Sequence, residues 1–123
     1  MNTSKKNSIM ITGASGFIGG NLMKSYRDEE QSVIGVDLKS NANDILETDL
    51  SNPEKLKEPM KQCDVIIHTA AMVSNAMSDE EMWKTNVLNT SKLIKLAIEY
   101  GIKRFVHILS LIHISEPTRL QQI

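Results

Sequence analysis

Apolar residues are arranged along the chain in two kinds of segment. Short runs in which apolar residues follow one another without alternation are typical of strands buried in a parallel sheet. Between them, apolar positions recur at helical spacing. The predicted strands are residues 8–12, 32–37, a short one within 43–50, 63–71 and 104–109, and the predicted helices are 16–30, a segment beginning at 53, and 79–100. This alternation predicts a doubly wound α/β domain whose parallel sheet is covered on both faces.

Proline and glycine mark the ends of the predicted helices. Either Ser51 or Asn52 can cap a helix whose first residue is Pro53. Pro59 would interrupt that helix if it were long, so a short or kinked element is expected. Gly101 is suited to end the helix over 79–100, because glycine tolerates the left-handed conformation that commonly follows a helix.

Composition limits the class of protein. A chain of 123 residues suffices for one domain with a hydrophobic core. The net charge of −1 and the low aromatic content argue against a nucleic-acid partner. The single Cys63 fits a reducing compartment and a buried structural role, and no apolar run is long enough to span a membrane. A cytoplasmic protein with no metal site is therefore expected.

A glycine-rich loop, TGASGFIGG, joins the first strand to the first helix. Gly13 lets the chain turn out of the strand, Gly16 leaves room for a pyrophosphate at the helix start, and Gly19 lets the helix pack closely on the strand. Asp37 ends the next strand, where a carboxylate can bind both ribose hydroxyls and repel a 2′-phosphate. NAD is favoured over NADP, although Lys39 leaves that choice open. The alternative is a helix-capping turn beside a surface aspartate.

Several motifs together resemble the extended short-chain dehydrogenase/reductase family, the NAD-dependent epimerase/dehydratase group. They are TGASGFIGG, VIGVD, the Asp-Leu pair at 49–50, VIIHTAA and TNVLNTSKLIKLAIEYGIKRFVHI, which cover about residues 7–108. The branch that includes 3β-hydroxysteroid dehydrogenase and dihydroflavonol reductase is the one most similar in the segment HTAAMVS and the following TNV. Sugar-nucleotide epimerases share most of the same pattern. The resemblance implies a Rossmann-type fold that binds NAD.

The resemblance also implies roles for residues around the adenosine and pyrophosphate. Phe17 and Ile18 would offer backbone N–H groups to the pyrophosphate, and Asp37 would bind the ribose. Asp49 would face the adenine amino group while Leu50 packs on the ring. Asp49 has an ordinary alternative as a turn or capping residue before the segment SNPEK.

Near the nicotinamide half, the resemblance implies that Ala70 and Ala71 line the cofactor cleft and that Asn86 supplies a polar group. The two alanines could instead merely end a strand, and Asn86 could face solvent. His68, at the end of its strand, is implied to be structural rather than an acid–base group.

Catalysis in this family needs a Tyr-x-x-x-Lys pair after the fifth strand, and its lysine lowers the pKa of the tyrosine. The tyrosines of this chain are Tyr26 and Tyr100, which precede that strand and lack the lysine partner. Ser110 aligns with the family's catalytic serine. However, Leu109–Arg119 resembles the translation of a sequencing adapter used in DNA library preparation, and the remaining residues would fit a barcode and a further adapter codon. The alternative is a natural C-terminus in which Leu109–Ile114 prolong the strand.

We therefore expect an incomplete NAD-binding Rossmann domain over 1–108, cut after about the fifth strand, and a non-native tail over 109–123. The parent would be an NAD-dependent dehydrogenase, epimerase or dehydratase that acts on a hydroxyl or carbonyl carbon of a small molecule. The resemblance implies that the parent could dimerise, through the helix over 79–100 together with the tyrosine helix that is missing here. The chain itself is expected to be inactive. Two alternatives stay open, namely a catalytically dead NAD-sensing module and a non-enzymatic interaction domain.

Overall fold

Five strands and three α-helices alternate along the chain in a computed structural model that describes residues 7–40, 42–71 and 75–108. The elements are β1 (Ser8–Thr12), α1 (Phe17–Asp28), β2 (Val33–Asp37), β3 (Ile45–Glu47), a 3₁₀ turn (Pro53–Leu56), α2 (Lys57–Met60), β4 (Cys63–His68), α3 (Asp79–Glu99) and β5 (Arg104–His107). Every predicted strand is present, and the described part of the fifth ends at His107.

The sheet is parallel throughout, with the strand order β3-β2-β1-β4-β5. The chain first moves outward from β1 to β3 and then crosses back to β4 on the other side of β1. The connections that leave β1 and β4 therefore diverge, and a crevice forms outside the carboxyl ends of these two strands. This arrangement confirms the predicted doubly wound α/β fold.

The two faces of the sheet carry separate hydrophobic cores. Met10 and Ile66 point to one face, where they pack with residues of the 3₁₀ turn, α2 and α3. Their direct successors Ile11 and Ile67 point to the other face, where Met23 of α1 covers them. Because neighbouring positions are buried on opposite faces, these strands have no polar side, which explains the continuous apolar runs in the sequence.

The helix ends agree only in part with their sequence signals. The helical segment from Pro53 is short, as predicted, and consists of the 3₁₀ turn and the four-residue α2. Asn52 occupies the cap position, but the prediction of a side-chain cap there is wrong because no such hydrogen bond forms. Gly101 follows α3 with a φ of +73°, and the Ile102 N–H donates to the Ala97 carbonyl, as expected of a glycine that ends a helix.

Among the described residues, no helix is both long enough and apolar enough to cross a membrane.

Two adjacent glycines of α1 test how closely this helix lies on β1. A Cβ on Gly19 would overlap the Gly13 carbonyl group, whereas a Cβ on Gly20 would have its nearest contact at 3.5 Å, with the Ala14 carbonyl oxygen. We expect Gly19→Ala to lower the free energy of unfolding by about 2 kcal/mol or more, because backbone must move. Gly20→Ala should be neutral or stabilise the chain by up to about 1 kcal/mol through helix propensity. Urea unfolding followed by circular dichroism measures both, and equal effects would contradict the close approach.

Candidate functional site

The glycine loop leaves β1 by a turn that only glycine fits. Gly13 has a φ of +71°, and a Cβ there would lie 2.9 Å from the backbone nitrogen of Ala70. The turn is closed by a hydrogen bond of 3.0 Å from the Gly16 N–H to the Gly13 carbonyl. The exits of β1 and β4 are therefore in direct contact, and the loop forms one wall of the crevice between them.

Among the residues that the structure describes, no side chain caps the amino terminus of α1. Its cap residue is Gly16, and its first turn contains no acidic residue. A Cβ on Gly16 would meet the Gly13 carbonyl oxygen at 3.3 Å and no other element among the described residues. Helix geometry leaves the N–H groups of Phe17 and Ile18 without acceptors inside the helix. This open, partly positive end suits an anion.

The amino terminus of α3 provides the contrast within the same chain. Ser78 accepts a hydrogen bond from the Glu81 N–H, and the Glu81 carboxylate accepts one from the Ser78 N–H. Asp79 and Glu80 add further negative charge to this first turn. A capping box therefore closes the start of α3, whereas the start of α1, at the crevice, has no side-chain cap.

Asp37 lies beside the glycine loop and is hydrogen-bonded to it. One carboxylate oxygen accepts from the Ser15 N–H at 2.8 Å, and the other accepts from the Leu38 N–H at 2.7 Å. The Ser15 hydroxyl donates to the Lys39 carbonyl at 2.9 Å, which ties the end of β2 to the loop a second time. The carboxylate is therefore oriented before any ligand arrives. These contacts are also compatible with the alternative of a surface aspartate beside a turn, and the contact of Asp37 with a ribose stays a prediction.

Asp49 and Leu50 follow β3 in a tight turn. The Asp49 carboxylate accepts a hydrogen bond of 2.9 Å from the Ser51 N–H, which lowers the pKa of Asp49. The Asn52 N–H donates to the Asp49 carbonyl at 3.0 Å. Leu50 is partly buried and packs on the core beneath α3. Asp49 is therefore a turn residue in this structure. Its contact with adenine stays a prediction.

The residues predicted near the nicotinamide half follow β4 or belong to α3. Ala70 is partly buried, and its N–H donates to the Thr12 hydroxyl at 3.2 Å, whereas Ala71 is exposed. Asn86 is partly buried in α3 and does not simply face solvent. Ser110 lies outside the described residues.

His68 is buried at the carboxyl end of β4, as expected of a structural histidine. Its ring nitrogens lie 2.7 Å from the Thr12 hydroxyl oxygen and 2.9 Å from that of Thr90. Burial, and secondarily the charge of His107, lowers the pKa of His68 to about 4. Sequence reasoning missed both threonines, since they lie far from His68 along the chain and no local motif connects them to it.

Metal-binding clusters can be checked in the same region. Within residues 7–40, 42–71 and 75–108, no three histidine, cysteine or acidic side chains are grouped so that they could hold a metal ion.

Comparison with known proteins places these features in a family. The sequence model of the NAD dependent epimerase/dehydratase family matches residues 9–118. This match runs past residue 108 into the segment that we predicted to be non-native. The matched residues beyond 108 lie outside the described part, and the non-native tail remains a prediction.

Individual relatives resemble the chain over most of its length. One relative is a 4-hydroxy-2-methyl-3-oxo-4-farnesyl-3,4-dihydroquinoline-1-oxide ketoreductase from Stigmatella aurantiaca. This chain is 36% identical to it over 111 residues, and the aligned part covers 80% of this chain and 32% of the relative. The chain is 30% identical over 115 residues to a UDP-glucose 4-epimerase from Vibrio cholerae, which covers 85% of this chain and 35% of that protein. The chain thus spans about a third of the length of these relatives.

A solved structure shows the same arrangement of strands and helices. It is a short-chain dehydrogenase/reductase superfamily protein from Agrobacterium tumefaciens with bound NAD. It superposes with a TM-score of 0.75 at 26% sequence identity, covering 85% of this chain and 33% of that one.

The burial of neutral His68 should make folding stability depend on pH. Because the pKa of His68 is lowered in the folded chain, the unfolded chain binds the proton first as the pH falls below about 6.5. The resulting loss, about 3 kcal/mol in total, should accumulate between pH 6.5 and pH 4 and then level off. In His68→Gln, this part of the pH dependence should disappear from urea unfolding curves. The matched variant His107→Gln should keep most of it, because His107 is exposed.

Proposed function

Since the chain belongs to the NAD dependent epimerase/dehydratase family, we propose that residues 7–108 bind NAD across the carboxyl ends of β1, β2 and β4. The observation that carries the proposal is the uncapped start of α1, placed directly beside an aspartate that the same loop orients. Bound NAD would supply the capacity to accept or donate a hydride. The residues of this chain would bind and orient it.

The pyrophosphate would bind at the start of α1. The N–H groups of Phe17 and Ile18 face no side-chain cap, and the helix dipole favours a negative group there. Gly13 shapes the turn, Gly16 keeps side-chain atoms out of the approach, and Gly19 lets α1 lie against the turn. This set of backbone donors does not depend on a charged side chain, so it would bind the pyrophosphate by hydrogen bonding and dipole.

The adenosine would lie towards β2 and the turn after β3. Asp37 would accept hydrogen bonds from the ribose hydroxyls with oxygens that already bind backbone N–H groups. Its negative charge disfavours a 2′-phosphate, which supports NAD rather than NADP, although Lys39 is close in sequence. Asp49 would face the adenine amino group, and Leu50 would contact the ring.

The nicotinamide half would extend along the exit of β4. Ala70 and Ala71 have small side chains that allow a ligand to approach the backbone, and Asn86 would supply a polar group from α3. The backbone of Ala70 is fixed by the Thr12 hydroxyl, so this wall of the crevice has a defined position.

The whole protein, of which this chain represents about a third of the length seen in relatives, would be an NAD-dependent dehydrogenase, epimerase or dehydratase in the cytoplasm. Its substrate would be a small molecule with a reacting hydroxyl or carbonyl carbon. This class of chemistry is supported by the two relatives, of which one is named as a ketoreductase and the other as an epimerase. Neither Tyr26 nor Tyr100 is followed by the lysine that this chemistry needs, so we expect this chain to bind the cofactor without turnover.

A homodimer of the whole protein through α3 is part of the same proposal. A second apolar stripe on this helix consists of Trp83, Val87, Ile94 and Ile98, which are 38–74% exposed, with the small Ser91 near its middle. Their spacing puts them on one side of the helix. Two copies of α3 packed antiparallel would bury both stripes, with a two-fold axis near the small residue. Exposed apolar side chains in a row are typical of such contacts.

The binding proposal is tested by thermal unfolding of the full chain with increasing NAD. Wild type should show a rise in Tm with NAD, because a ligand that binds only the folded state stabilises it. Asp37→Asn should bind at least about tenfold more weakly, since it loses a charged acceptor for the ribose.

Asp28→Asn is the matched control, because Asp28 is an exposed aspartate that pairs with Lys24 away from the crevice. It should leave the response to NAD unchanged. A folded wild-type chain whose Tm is insensitive to NAD would refute the cofactor proposal and favour a non-enzymatic interaction domain.

The dimer proposal is tested by replacing one residue of the stripe. Ile98→Asp puts a charge at one end of the apolar stripe and should shift the chain towards monomer in sedimentation velocity measured over a range of concentrations. Leu38→Asp changes a leucine that is also exposed, at 58%, but lies outside the stripe, and should have no such effect. Equal behaviour of wild type and both variants would argue against α3 as the contact.

A further inference from the structure

Three side chains connect the two walls of the crevice to α3. Thr12 ends β1, His68 ends β4 in the position paired with it, and Thr90 lies in the middle of α3. The imidazole bridges the two hydroxyls at 2.7 and 2.9 Å. Thr12 and His68 are each at most 1% exposed, so water cannot replace the bond between them, whereas Thr90 is partly buried.

The Thr12 hydroxyl also binds the backbone that continues from β4. Its oxygen accepts hydrogen bonds from the Thr69 N–H at 3.0 Å and from the Ala70 N–H at 3.2 Å. The Thr69 N–H is shared, since it also lies 3.3 Å from the Thr12 carbonyl oxygen. The Thr69 hydroxyl returns a bond of 2.7 Å to the Thr12 carbonyl. Thus one residue at the end of β1 holds the first two residues beyond β4, next to the Gly13 turn.

This geometry determines which nitrogen of His68 carries the proton. A threonine hydroxyl has two acceptor sites and one hydrogen to donate. The Ala70 N–H and the shared Thr69 N–H lie at the two acceptor sites of Thr12. The remaining partner of this hydroxyl is Nδ1 of His68, so the network directs the Thr12 hydrogen to Nδ1. Nδ1 therefore carries no proton, and the neutral ring has its proton on Nε2, from which it donates to Thr90.

We infer that His68, as the neutral Nε2–H tautomer, is a positioning residue for the dinucleotide crevice: through Thr12 it fixes the Thr69–Ala70 backbone against the Gly13 turn, and through Thr90 it anchors this arrangement to α3. The effect on affinity rests on the proposed binding of NAD. The positioning itself is a property of the chain. It goes beyond a structural histidine in the core, since it connects the middle of α3 to the shape of the ligand site.

A proton on Nδ1 would break this arrangement at one atom. The hydrogen of Thr12 would then point at another hydrogen, and the hydroxyl could keep its bond to the ring only by giving up one of the two backbone N–H groups. If that group were Thr69, its N–H would keep only the longer contact with the Thr12 carbonyl oxygen. His107 of β5 is the titratable group in ring contact with His68 among the described residues, at 4.8 Å between centroids, and Phe105 lies at 6.0 Å. The partners from β1 and α3, Thr12 and Thr90, carry no charge, so a charged His68 would find no acid among these contacts.

The tautomer can be observed directly in the full chain. Long-range proton–nitrogen NMR spectra at pH 7 should show a protonated Nε2 and an unprotonated Nδ1 for His68. A ring protonated on Nδ1, alone or together with Nε2, would overturn the inference, because the Thr12 hydroxyl would then have no acceptor.

The connection through α3 is tested by Thr90→Val, which removes the outer acceptor and keeps the shape of the side chain. We expect it to weaken NAD binding by about three- to tenfold, the usual effect of losing one hydrogen bond, measured by calorimetry under conditions where circular dichroism shows a folded chain. It should also shift the backbone amide resonances of Thr69 and Ala70. Thr90→Ser keeps the hydroxyl and should restore both the affinity for NAD and the amide resonances. Ser91→Ala should change neither quantity, since the Ser91 side chain is exposed and projects from the helix about 100° away from Thr90.

The outcomes separate this inference from the cofactor proposal. If wild type binds NAD and Thr90→Val binds equally well with unshifted amides, the positioning role is refuted while the binding proposal stands. If wild type is folded and does not bind NAD, the binding proposal fails. The tautomer and the amide resonances of Thr69 and Ala70 then still decide whether His68 positions the crevice.

Discussion

The close approach of α1 to the end of β1 is the constraint on which the rest of the structure depends. Gly13 and Gly19 meet backbone to backbone, and any side chain on Gly19 would occupy the space of the Gly13 carbonyl. This contact sets how far the start of α1 stands from the carboxyl ends of the strands. The uncapped N–H groups at the start of α1 are thereby placed at the crevice.

The two long helices show how one chain can assign opposite roles to similar elements. At the start of α3, Ser78 and Glu81 satisfy N–H groups through the capping box, and two further acidic residues add negative charge. The start of α1 uses glycine and has neither a side-chain cap nor an acid. A helix that is stabilised mainly by packing on β1 and β2 can dispense with a cap, and its electrostatic potential is then available to a ligand.

Much of the fold could be predicted from the sequence, because its signals are local. Continuous apolar runs gave the strands, and glycine spacing gave the turn before α1. The structure adds what depends on pairing between distant segments. The register of β1 and β4 places Thr12 opposite His68. The rotation of α3 about its axis brings Thr90 to the same ring. The hydrogen bonds of Asp37 to Ser15 likewise depend on how β2 meets the loop. In the turn after β3, Asp49 binds Ser51 locally, a pattern that sequence offered only as an alternative.

The strand order has a consequence for how the crevice comes into being. Its two walls are adjacent in space, yet the bond between Thr12 and His68 joins positions 56 residues apart. Closing so long a segment costs chain entropy, and this cost is offset only once the contacts between β1 and β4 have formed. A molecule bound in the crevice would contact two segments that are distant in sequence. Its binding should therefore protect the whole sheet against proteolysis, and not only the glycine loop.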